Sequence, residues 1–140
     1  MKSYKDIVLP LRVNHFLHGD KPCVVTVIPN EGKIFSPKKP QKFVMTILKD
    51  NKLYFHRISN IFHDYLPEED FRLSLDKVKA YTIEKVNKLV NKYTLSTKEG
   101  LYFQFEVMHG TKVTYETDHN MESIKSVMRS MGIKEEKLDL

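Results

Sequence analysis

The sequence predicts a mainly β domain of the α+β kind: a seven-stranded antiparallel sandwich or barrel capped by one C-terminal helix. Three observations carry this reading. Apolar and polar residues alternate along most of the chain, which is the period of half-buried strands. Turn residues punctuate the alternation at 29–32, 49–51, 98–100 and 109–110. Near the end the period changes, and Met121, Ile124, Met128 and Met131 fall at i, i+3, i+7 and i+10, the stripe of an amphipathic helix.

Residues 7–13 read as a weak strand, confined to an edge by Pro10, which has no N–H to give a ladder. Residues 23–28 are β-branched and form the first firm strand, closed by the turn Pro29-Asn30-Glu31-Gly32. Two prolines make 36–40 a loop. Strands at 43–48 and 52–58 flank Lys49-Asp50-Asn51, a tight hairpin because Asp and Asn tolerate positive φ. Residues 60–70 are irregular and end in turn material at 67–70. Phe71, Leu73 and Leu75 alternate into Asp76, ahead of a strand over 78–85. A second hairpin joins 93–97 to 101–107 around Lys98-Glu99-Gly100, with Leu101, Phe103, Phe105 and Val107 on one face. A seventh strand is expected at 113–117.

Asp118 or Asn120 can cap the helix, and Gly132 suits the left-handed residue beyond its end. Residues 133–140 read as a fraying charged tail. Repeats and low-complexity runs are lacking, so the 140 residues make one domain: an N-terminal extension over 1–21, a core over 22–132 and the tail.

The N-terminal apolar stretch is too short and interrupted for a signal sequence, and no run is long enough to span a membrane. With one cysteine, Cys23, there is no internal disulfide, and a cytoplasmic location is expected. The protein is basic, with a net charge of +5 distributed unevenly. Residues 33–52 hold six lysines against Asp50, and residues 77–98 hold six against Glu84. Acids collect instead at Asp64, Glu68, Glu69 and Asp70. Such asymmetry can steer an acidic partner.

The order of elements from residue 22 to 132 resembles the pleckstrin-homology-like (PH-like) superfold, in particular its small bacterial and GRAM-like members. Three segments carry the likeness. Met45-Thr46-Ile47-Leu48-Lys49-Asp50-Asn51-Lys52-Leu53-Tyr54-Phe55 is similar to a hairpin of that family. Phe71-Arg72-Leu73-Ser74-Leu75-Asp76-Lys77-Val78 is similar to the lead into its fourth strand. Leu95-Ser96-Thr97-Lys98-Glu99-Gly100-Leu101-Tyr102-Phe103-Gln104-Phe105 is similar to the hairpin between its fifth and sixth strands. The resemblance implies a binding or scaffold module that acts on another protein, or on a second copy of itself, by presenting an exposed strand edge or the lysine loop. Phosphoinositide-binding members carry basic residues in the loop after strand one and on strand two. This chain has Lys33, Lys38, Lys39 and Lys42 in that loop, while strand two reads Phe43-Val44-Met45-Thr46-Ile47. These four lysines are the candidate ligand-binding residues, and no cofactor is expected.

Other candidate chemistry is sparse. His15 and His18 with Asp20 fall short of a tetrahedral ligand set, so no metal site is expected. His63 and Asp64 beside Glu68 and Glu69 lack a partner nucleophile. Cys23 opens a strand and reads as a small buried apolar residue. No glycine-rich phosphate loop occurs, since the five glycines stand singly. These features point away from an enzyme. The alternative to a protein partner is an acidic surface, anionic lipid or nucleic acid, met by the lysine-rich loops. For nucleic acid, Tyr54, Tyr81 and Tyr102 are candidate stacking residues. Only four arginines accompany the lysines, although bidentate phosphate and base recognition favours Arg.

Overall fold

A computed structural model describes residues 4–137. Its first element corrects the sequence reading. Helix α1, Tyr4–Val13, stands where an edge strand was expected at 7–13. Two apolar templates fit this segment. Ile7, Leu9, Leu11 and Val13 alternate, while Tyr4, Ile7, Val8 and Leu11 follow i, i+3, i+4, i+7. The helical set is the one that is buried, and Leu9 and Val13 are left exposed. The helix ends in a Schellman arrangement: Phe16 N–H bonds Leu11 O at 2.8 Å and His15 N–H bonds Arg12 O at 3.1 Å. His15 occupies the left-handed position, with φ 59.

The strands are β1 (Asp20–Val27), β2 (Gln41–Ile47), β3 (Lys52–Arg57), β4 (Phe71–Ser74), β5 (Val78–Asn87), β6 (Val90–Thr97), β7 (Tyr102–Met108) and β8 (Lys134–Glu135). They form one sheet in the order β4-β3-β2-β1-β7-β6-β5-β8, which is not closed on itself. All pairings are antiparallel except β5 with β8. Two assignments shift. Residues 71–74 are themselves the fourth strand, so the hairpin read as strands five and six is β6–β7. The seventh strand expected at 113–117 does not form, and helix α2, Tyr115–Ser130, begins there. Val113, Thr114 and Tyr115 have strand propensity. Thr117 nevertheless continues the helical stripe backwards from Met121, Ile124 and Met128, and burial of that stripe decides the outcome.

The main core lies inside the curved sheet under α2. Phe43, Phe55, Phe103 and Phe105 fill its centre, and Met121, Ile124 and Met128 plug its open side. Met131, the last member of the expected stripe, is only partly buried. Gly132 does take the left-handed conformation, with φ 81, and Ile133 N–H bonds Met128 O at 3.0 Å. The expected fraying tail is corrected in part. Ile133 is buried and β8 pairs in parallel with β5. Residues 138–140 of that tail lie outside the described residues.

β1 and β7 share only the pairs Thr26↔Glu106 and Val27↔Phe105. Beyond them the two halves splay and α2 fills the gap. Thr117 Oγ1 accepts the Val24 N–H at 3.4 Å, and Asn120 Nδ2 donates to Pro22 O at 2.8 Å and to the Tyr4 hydroxyl at 3.3 Å. A second, smaller cluster covers the outer side of the sheet, where Tyr4, Ile7, Val8 and Leu11 pack against Val44 and Ile58. Both faces of β2 are therefore buried from Phe43 to Ile47, which explains why no charged residue occurs there.

Candidate functional site

Directly opposed residues in a sheet share one face. The register pairs Lys42 with Thr26, Thr26 with Glu106, Glu106 with Lys92, and Lys92 with Glu84. Those five residues form a single row across β2, β1, β7, β6 and β5, on the face turned away from the main core. Charge alternates along the row except at Thr26. Lys92 Nζ reaches Glu84 at 2.8 Å. Lys42 and Glu106 stand on opposite sides of Thr26, two strand spacings apart, or about 10 Å between Cα atoms.

A cleft of about 170 Å³ opens over this interruption. Tyr4 and Ile7 of α1 form one wall, Val90 and Met108 another, and Val113 with Thr114 and Thr117 close it from the α2 side. Lys42, Glu106 and His63 supply its polar rim. Lys42 Nζ lies 3.2 Å from His63 Nε2. An ammonium only donates, so that ring nitrogen is the acceptor. The Tyr4 phenol is pushed up to about 12, chiefly by burial.

The four candidate lysines part company. Lys42 lies on β2, which starts at Gln41, and not in the preceding loop. Lys33, Lys38 and Lys39 are exposed on the loop. That loop is held firmly. Asn30 Nδ2 donates to Ile28 O at 3.1 Å and Phe35 O at 2.9 Å, while its Oδ1 accepts Gly32 N–H at 2.9 Å. Tyr102 N–H bonds Gly32 O at 2.9 Å, and a Cβ on residue 32 would stand 1.7 Å from Tyr102 O, so only glycine fits. Phe35 stacks on Phe71 at 4.4 Å, and Phe71 on Phe55 at 4.4 Å.

A polar and aromatic cluster missed by sequence reasoning lies beside the cleft, on the outer side of β2 and β3. His56 is fully buried; its Nδ1 meets Val44 O at 2.8 Å and its Nε2 accepts the His18 N–H at 2.8 Å. Burial lowers its pKa below the ordinary 6.5, with the Val44 carbonyl opposing. The His18 ring stacks over His56 at 5.8 Å, and its carbonyl accepts the Thr46 hydroxyl. Asp70 gathers Arg57 N–H at 2.8 Å, the Tyr54 hydroxyl at 2.9 Å and the Tyr65 hydroxyl. Burial first, and then the Asp70 carboxylate, raises both phenols. These groups are committed to one another: both His56 nitrogens have partners and the Asp70 oxygens receive three donors. They lock two loops to the sheet.

The sequence offered no signal for this burial. His56 and Tyr54 alternate outward on β3, where solvent would be the default, and the His18 segment packs against both while Tyr65 lies beside His56. Other candidates disperse. His15 ends α1, His18 joins His56, and Asp20 opens β1. His63 turns to the cleft, whereas Glu69 approaches Arg57 at 3.9 Å. Among the described residues no three His, Cys, Asp or Glu side chains stand where they could hold a metal ion. Cys23 is buried, its thiol raised by burial and facing Thr117 O at 3.8 Å. Tyr81 is core and only Tyr102 and Tyr54 keep some exposure, with Tyr54 tied to Asp70, so the three do not form a stacking platform. Among the described residues no helix is long and apolar enough to cross a membrane.

No protein-family model matches the sequence, and no curated protein matches it. Among solved structures the chain is similar to the pleckstrin homology (PH) domain of USP37, over 78% of this chain and 95% of that one, with 10% identity and a TM-score of 0.44. The chain's own succession is seven strands, β1 to β7, followed by α2 across the gap between β1 and β7; the count is the one expected above, with the fourth strand at 71–74 and the seventh at 102–108. The fold is mostly β, with a mixed open sheet and a long C-terminal helix.

Proposed function

We propose that the chain is a non-catalytic binding module that docks a protein partner on the outer face around the cleft. The observation that carries this reading is a set of exposed apolar side chains that line the cleft or adjoin its lining residues along the chain, a set we read as a collar. Met108 and Val113, 39% and 43% exposed, line the cleft itself; Ile61, 78% exposed, sits two residues from His63; and Tyr115, 70% exposed, starts α2. Leu89 O accepts His109 N–H at 2.9 Å, which brings exposed Leu89 and Val86 to the same end. Single exposed apolar residues are ordinary, but a grouped set around a concavity marks an interaction surface. The sheet edges offer less, since β4 has four residues and β8 two.

The test is affinity capture from the source lysate, comparing the unmodified chain with Ile61→Ser, Val113→Ser and Tyr115→Ser. Loss of the same captured protein in the variants, with an unchanged melting temperature, is the expected result. Identical capture by all of them would refute docking at the collar.

A second reading rests on the pinned loop, which presents Lys38 and Lys39 outward between buried Pro37 and exposed Pro40. It assigns them, with Lys33 and Lys42, to an acidic surface. Sedimentation with phosphatidylserine vesicles, lost on changing Lys38, Lys39 and Lys42 to Glu and falling steeply with salt, is its expected behaviour.

A further inference from the structure

We propose that the cleft over Thr26 binds a small zwitterion with an apolar body, the chemical class of an apolar α-amino acid. This goes beyond the docking of a protein on the collar, because it concerns the floor and polar rim of the cleft rather than its surroundings.

Charge comes first. The row of side chains places a cation, Lys42, and an anion, Glu106, on opposite sides of the uncharged Thr26. Lys92, the neighbour of Glu106 in the row, is drawn away to Glu84 at 2.8 Å, and among the described residues Glu106 makes no ion pair. His63 Nε2 lies 3.2 Å from Lys42 Nζ. A carboxylate entering alone would find Lys42 but would lie near Glu106, and an ammonium alone would meet the opposite conflict. A ligand carrying both charges satisfies both rims at once, and each half-buried charge gains a charge-assisted hydrogen bond.

Size and lining come next. About 170 Å³ is well under the roughly 300–1,000 Å³ of sites for drug-sized ligands, and it corresponds to about six waters at roughly 30 Å³ each. That is room for one aliphatic or thioether side chain and its head. Ile7, Val24, Val90, Met108 and Val113 supply the apolar wall such a side chain needs, and adaptable Met108 stands at the mouth.

The experiment uses the full chain, titrated by amide NMR with L-leucine and L-methionine, then with leucinamide, which lacks the carboxylate, and N-acetyl-leucine, which lacks the ammonium. Saturable millimolar shifts at Thr26, Lys42 and Glu106 are expected with both amino acids, and each blocked compound should bind about tenfold more weakly. Lys42→Met should erase the preference for leucine over leucinamide while keeping that over N-acetyl-leucine. Glu106→Gln should do the reverse. Unchanged spectra elsewhere verify that both variants fold. Absence of a saturable response to both amino acids, or equal binding of the blocked compounds, overturns the proposal. Capture of a protein by the collar is read separately, so either idea can fall without the other.

Discussion

Thr117 Oγ1 accepts the Val24 N–H at 3.4 Å, so a helix side chain takes the place of a neighbouring strand along part of β1. β7 has already diverged at this point, having paired only at Thr26 and Val27. Without that hydroxyl, the Val24 donor faces an apolar helix. Thr117→Val keeps the shape and removes the acceptor, and should cost about 1–3 kcal/mol of stability. Urea unfolding gives the value. A midpoint equal to that of the unmodified chain would mean that water or another group satisfies Val24.

His56 makes stability depend on pH. Its pKa in the folded chain is lowered from 6.5 by burial, and Nε2 is already an acceptor for His18 N–H. The unfolded chain therefore binds a proton that the folded chain refuses. Stability is complete above pH 6.5 and falls as the pH drops through that value toward the lowered folded pKa. The slope approaches about 1.4 kcal/mol per pH unit from this group. His56→Gln retains a donor and an acceptor without titrating, so its stability between pH 7 and pH 5 should be flatter than that of the parent. Parallel curves for the two proteins would remove His56 as the cause.

Met128 lies at the middle of the α2 stripe and is 2% exposed. Met128→Asp places a carboxylate in the main core without a partner, a change of about 4 kcal/mol or more. Small domains have about 5–15 kcal/mol in all, so the thermal transition should fall sharply by near-ultraviolet circular dichroism. An unaltered transition would put the stripe at the surface.

Val8 of α1 and Val44 of β2 are buried in the same outer cluster. Val8→Ala and Val44→Ala should each cost about 1–2 kcal/mol, and the double variant should fall short of their sum because the two share a cavity. Simple additivity by chemical denaturation would show that α1 does not pack there in solution.

The strands with one wet side were legible without coordinates. Leu101, Phe103, Phe105 and Val107 alternate against polar neighbours, so local propensity and global burial agree for β7, and Lys49-Asp50-Asn51 marks the β2–β3 hairpin although both faces of β2 are buried. Gly132 and the α2 stripe were equally readable, because a 3.6-residue period with a glycine stop has few alternatives.

The rest depended on what packs against what. Residues 7–13 satisfy two periods at once, and only the outer surface of β1 and β2, waiting to be covered, selects the helical one. Val113, Thr114 and Tyr115 favour a strand locally, yet the gap between β1 and β7 needs Thr117 on a helix. Lys42, Thr26 and Glu106 are far apart in sequence, and no pattern along the chain shows that they share a row. His56 looks like any outward strand residue until the His18 segment and Tyr65 cover it. Alternation along a chain reports which residues share a face, a local property. Which face is then covered, and which charges meet across it, is set by register and by contacts between distant segments, and only the tertiary structure decides those.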